Sequence, residues 1–358
     1  MNRAFNGELL ALARQTRKVS QPELVAALNG AVSQAQLSKI EHGQIQPDAE
    51  LVERFAEALK YRPSFFCNPV YQRMDPVSFH RKRKKLSARD RDAIHGQSEI
   101  YRINLKKLMP AVELEAQLPP VPSIDPDQYA GDIPKIALTI RQRWGVPRGP
   151  IKDLTKLVED SGVIVVAFDF GTPLIDGFCQ HAGDNLPPVI FINLRQPKDR
   201  YRFSLAHELG HLVMHQTPNP EQELQANQFA SELLMPTTEV RPQFYNLSIS
   251  KFMELKLYWG ASMQALIYKA WQIGKISDRM FKYYNIEMAK RGFKTKEPVE
   301  WNGSGESPST LAQLLSTYVD DLSYSTTDLG ELLGLSEDEV VGLYQLSGRR
   351  KPHLKLVV

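Results

Sequence analysis

The five residues His207-Glu208-Leu209-Gly210-His211 constrain this chain more than any other stretch of it. Two histidines four apart share one face only on a helix, where side chains at i and i+4 stack one turn above the other. Both imidazoles can then reach one ion. Glu208 is rotated by about 100° from His207, which puts it beside such an ion rather than on it. A carboxylate there can take a proton from water made acidic by a divalent metal. The flanking Phe203, Leu205, Leu209, Leu212 and Val213 give the helix, expected over about residues 201–215, an apolar surface for a core.

A catalytic metal centre needs a third protein ligand and an open position. Glu223, on a second helix expected over residues 221–234 and stopped by Pro236, is the best candidate. Asn227 lies one turn further on, placed to hydrogen-bond a ligand histidine. Glu221 and Glu232 are weaker rivals, and Gln225, a neutral amide, is a poor zinc ligand. His215 at the helix end is expected to be solvated. Among His215, Tyr201 and Arg202 no oxyanion stabiliser can be chosen. Upstream, residues 163–168, 177–179 and 188–193 read as three short strands, the last expected to be an edge strand that pairs with extended substrate.

The first sixty residues are different in kind. Leu9, Leu10, Leu12 and Ala13 mark one helix face. Ser20 and Ser33 sit where N-caps belong, Asn29-Gly30 is a turn, and Gly43 ends a helix begun at Gln34. A fourth helix over residues 49–59 should bury Leu51, Phe55, Ala58 and Leu59. Short helices joined by a Gly-containing turn describe a helix-turn-helix unit. Its Gln34, Gln36, Ser38 and Lys39 are candidate contacts to double-stranded DNA, since Gln pairs with adenine and Lys with guanine or phosphate. Residues 7–66 hold seven Lys/Arg and seven Asp/Glu, so such binding would rest on those few side chains rather than on net charge. The basic run Arg81 to Lys85 is a further candidate phosphate contact.

The remaining features bound the class. The 358 residues carry a formal net charge of +3 and 42% hydrophobic residues, an ordinary globular balance that leaves room for several domains. We divide the chain as 1–70, helix-turn-helix; 71–125, basic segment, helix (residues 89–118) and proline-rich linker; 126–245, metal-binding domain; 246–300, helical extension; and 301–358, a small helical domain. Within the last, residues 325–336 have the cadence of another small helix-turn-helix, for which packing is the expected role. Two distant cysteines, Cys67 and Cys179, make no disulfide scaffold and read as small buried hydrophobes. With neither a signal-like start nor an apolar run long enough to span a bilayer, a cytoplasmic location without membrane contact is expected. The fold class expected is mainly α with a small β-sheet, α+β.

Two resemblances sharpen this reading. The segment Ser20-Gln21-Pro22-Glu23-Leu24, then residues 33–43 and Pro47, resembles the XRE, or Cro/repressor-like, DNA-binding family, with a longer turn at residues 29–32 than usual. Members commonly dimerise on two half-sites, which implies a homodimer. Residues 202–212 and 223–236, with residues 256–266 downstream, resemble the ImmA/IrrE metallopeptidases. That resemblance implies a zincin-like middle domain, zinc (manganese as the alternative) on His207, His211 and Glu223, and Glu208 as catalytic base. Known members cleave helix-turn-helix repressors, so a repressor or antitoxin-like protein is the implied substrate. Members often carry Glu where this chain has Gln225, a difference read here as surface variation. The rival reading is a DNA-binding regulator whose peptidase-like domain senses a partner without turnover.

Overall fold

The computed structural model describes residues 4–67, 86–303, 306–345 and 354–356; the basic run Arg81 to Lys85 lies outside them. At the N-terminus α1 (Gly7–Thr16), α2 (Gln21–Ala27), α3 (Gln34–Glu41) and α4 (Ala49–Leu59) follow one another closely. Their starts are set by side chains. Ser20 and Ser33 each form a capping box, with Glu23 and Gln36 three residues on, and Asp48 caps α4. Arg14 donates twice to Glu41, at 2.6 and 3.0 Å, and Gln21 adds a third bond at 2.8 Å, tying α1, α2 and α3 together. In α4, Phe55 and Leu59 are buried as expected, but Ala58 is exposed and Ala56 is buried instead. Val52, Phe55, Ala56 and Leu59 make the i, i+3, i+4, i+7 stripe.

The helix expected to reach residue 118 is shorter. α5 (Ala88–Leu108) ends in a 3-10 turn at Met109–Ala111, where Pro110 has no N–H to continue the ladder. Strand β1 (Val112–Leu114) follows and pairs antiparallel with β5 (Leu354–Leu356). The proline-rich stretch is docked rather than free: Trp144 donates to the Pro119 carbonyl, Leu118 N–H to Asp160, and Ile124 N–H to Val213.

The middle of the chain runs through α6 (Ile133–Arg143), α7 (Leu154–Asp160), β2 (Ile164–Phe168), β3 (Gly177–Gln180), β4 (Val189–Asn193), α8 (Lys198–Met214) and α9 (Gln222–Leu234). The sheet order is β2-β4-β3, with β2 and β4 parallel and β3 antiparallel to β4. This corrects the edge-strand expectation: β4 is central, and the edge facing α8 is β3. Side chains alternate across the sheet. Val165, Ile190, Ile192 and Cys179 enter one core with α6, α8 and α9. Ile164, Val166, Phe178 and Phe191 enter another.

Beyond Pro236 come α10 (Thr237–Val240), α11 (Ile249–Trp259), α12 (Met263–Gln272) and α13 (Asp278–Lys290), which extend the first core. Then α14 (Thr310–Ser316) runs into one π-helical turn, Thr317–Asp321, before α15 (Thr326–Leu333) and α16 (Glu337–Gln345). These last helices, α5, the second sheet face and the N-terminal helices share one continuous core. Glu159 at the end of α7 accepts from the N–H and hydroxyl groups of both Ser309 and Thr310, so a buried carboxylate from another element caps α14. The layout is α+β, as expected. No described helix is long and apolar enough to cross a membrane.

Candidate metal centre

α8 and α9 pack closely because Gly210 lies against Phe229, where an added Cβ would stand 3.0 Å from the ring. That approach brings the first turn of α9 over the histidine face of α8. His207 Nε2 and His211 Nε2 are 3.1 Å apart, and the Glu223 carboxylate oxygens lie 3.7 Å from the first and 3.5 Å from the second. Four donors set tetrahedrally about zinc at its usual bond lengths stand about 3.3 Å apart. The three side chains therefore fit such an ion, and the two-imidazole, one-carboxylate set is a donor chemistry zinc accepts.

Glu208 faces the sheet. It is buried beside the edge strand, where Gly177 leaves room for it and the Cys179 thiol hydrogen-bonds its carboxyl group. Burial pushes the Glu208 pKa up to about 7, with the charge of Glu223 adding to the rise and His211 opposing it. Burial and Glu208 together push the Cys179 thiol up. For His211 burial acts downward, yet the neighbouring Glu223 and Glu208 outweigh it and the net shift is upward.

Asn227 Oδ1 lies 3.0 Å from His207 Nδ1, within hydrogen-bond reach. His215, expected in solvent, is instead buried: its Nδ1 meets His211 Nδ1 at 2.9 Å and its Nε2 meets Gln225 Oε1 at 2.8 Å. Gln225, expected to be a surface variation, thus touches the site through His215. Burial lowers the His215 pKa to about 4. The chain spacing held the signal, since 207, 211 and 215 are successive turns of one helix face.

Of the rival ligands, Glu232 is engaged elsewhere. Glu232 accepts from Lys269 at 2.6 Å and from Thr237. Thr155 donates to Tyr201 at 3.4 Å, and Arg202 is buried against Glu306 and Trp301. A groove of about 1190 Å³ reaches Asn227 and is lined by Phe203, Leu224, Tyr268 and Trp301 together with charged residues such as Lys256 and Glu297.

On α3, Gln34, Gln36 and Lys39 are exposed and Ser38 is half-buried. The Gln36 carbonyl oxygen is committed to Ser33, through the capping box, which leaves only its amide nitrogens for another partner.

Two family models match. Residues 158–270, which hold the sheet, α8 and α9, match the IrrE N-terminal-like domain, and residues 7–63 match a helix-turn-helix domain. The chain carries these two similarities on separate stretches. It thus joins a helix-turn-helix of the DNA-binding, XRE-like kind to a peptidase-like domain. No curated protein matched the chain.

Proposed function

We propose that this chain is a zinc-dependent regulatory endopeptidase that cleaves a helix-turn-helix repressor or antitoxin-like protein and so controls transcription. One observation carries the reading: the ligand atoms of His207, His211 and Glu223 converge within 4.8 Å of one another, with Glu208 alongside.

A divalent ion held there, zinc or in its place manganese, supplies Lewis acidity for the scissile carbonyl and for the attacking water. The protein supplies the rest. Asn227 holds the His207 ring. Glu208, raised by burial, takes the proton of the attacking water and delivers it to the leaving amine nitrogen. The β3 edge, paired only with β4 among the described residues, offers backbone groups to an extended substrate. The aromatic groove receives flanking side chains. The α3 face, with Gln34 and Lys39 exposed on it, brings the enzyme to double-stranded DNA, where a repressor substrate is also found; on paired half-sites a homodimer would bind.

The test is incubation of the purified chain, loaded with zinc, with the helix-turn-helix proteins encoded beside it. Cleavage by the wild type and none by Glu208→Gln supports the reading. Binding of such a protein without cleavage by either supports the rival, a regulator that senses without turnover.

A further inference from the structure

The hydrogen-bond chain behind His211 has a direction that the atoms themselves fix. Gln225 presents Oε1 to His215 Nε2 at 2.8 Å, and Asn219 Nδ2 also points at that oxygen, at 3.5 Å. A carbonyl oxygen only accepts, so His215 carries its proton on Nε2. In a neutral imidazole the other nitrogen then has a lone pair. His215 Nδ1 faces His211 Nδ1 at 2.9 Å, so His211 must hold its proton on Nδ1 and donate it. Its Nε2 is left with a lone pair aimed at His207 and Glu223. The backbone locks the middle of the chain: His215 N–H donates to the His211 carbonyl, and the His215 carbonyl lies 3.0 Å from His181 Nε2.

We infer that His215 and Gln225 are positioning residues for the metal, a two-step relay that holds His211 in the one tautomer able to ligate through Nε2. The inference rests on the metal-site reading above. His207 reaches the same state through one neutral acceptor, Asn227. His211 reaches it through a polarisable imidazole backed by an amide, so residue 225 sets how strongly His211 donates. An amide there gives a milder ligand than a carboxylate, which would draw the His215 proton harder and pass that pull to His211.

The experiment measures zinc affinity of the full chain by competition with a chromogenic chelator, for wild type, His207→Ala, His215→Phe, Gln225→Leu and Gln225→Glu. The melting temperature of each metal-free variant serves as the folding control. The relay predicts that His215→Phe and Gln225→Leu weaken zinc binding by about 10- to 100-fold, and that Gln225→Glu tightens it by about tenfold. A packing defect cannot produce opposite signs at one position. In the zinc-loaded wild type, long-range ¹⁵N–¹H correlations should show the Nε2–H tautomer of His215. Equal affinities for wild type, His215→Phe and both Gln225 variants, with His207→Ala still losing the metal, would overturn the relay and leave the metal site standing. Failure of the wild type itself to bind zinc would overturn both.

Discussion

Glu208 and the histidines beside it differ in what their loss should do. Glu208 is not among the three residues whose ligand atoms converge, so Glu208→Gln should retain zinc and lose cleavage by several orders of magnitude. Elemental analysis beside a cleavage assay checks both halves; loss of metal in Glu208→Gln would contradict its assigned place. The edge strand gives a second residue-scale prediction. An added Cβ on Gly177 would stand 2.8 Å from Ile192 Cδ1 and 2.9 Å from the Phe191 carbonyl. Gly177→Ala should therefore destabilise the fold by about 1–3 kcal/mol, read by denaturant unfolding. Much at this scale was legible beforehand. His207 and His211 declare themselves by spacing, and Asn227 by its place one turn past Glu223. The contact of Cys179 with Glu208 and the burial of His215 beside Gln225 did not, because they depend on which element packs over a residue. The spacing of 215 from 211 showed a shared face but not that α9 covers it.

Secondary-structure elements were read well where local chemistry decides them. Ser20, Ser33, Asp48 and Pro236 start or stop helices through their own atoms, and the structure places those boundaries within a residue or two. Two elements differ from the expectation, one through a local residue as well as a distant partner and one through tertiary pairing alone. The helix expected over residues 89–118 ends at Leu108, because Pro110 breaks its ladder and Val112–Leu114 pairs with a strand some 240 residues away. The third strand, expected at an edge, is central, since strand order is a tertiary property that sequence order does not reveal. The helix-turn-helix carries its own predictions. Arg14→Ala leaves the buried Glu41 carboxylate without its guanidinium partner and should cost about 3 kcal/mol, measured by thermal unfolding. Gln34→Ala and Lys39→Ala on the exposed α3 face should weaken DNA binding in an electrophoretic assay while leaving zinc content unchanged. Unaltered DNA binding in both would assign that face to protein contact.

At the scale of the whole molecule, the N-terminal helices and the three-stranded sheet share their packing. Leu9 and Leu12 of α1, Leu105 of α5, Phe168 and Phe191 of the sheet, and Leu314 and Leu333 of the last helices lie in one core. Arg17 pairs with Glu339 at 2.5 Å and Lys18 with Asp90 at 2.5 Å, fastening the same seam. A mutation in that core should destabilise the helix-turn-helix and the α8–α9 site together. Leu105→Ala, which empties a fully buried position, should cost about 2–5 kcal/mol and shift one shared transition seen by DNA binding and by metal release alike. Two separate transitions would show that the helix-turn-helix folds independently of the sheet.

The central claim, that one divalent ion is held between α8 and α9, is tested most directly by metal content per chain in wild type, His207→Ala and Glu223→Ala. The account predicts close to one zinc in the wild type and none retained by either variant. No bound metal, or metal retained by Glu223→Ala, would contradict it.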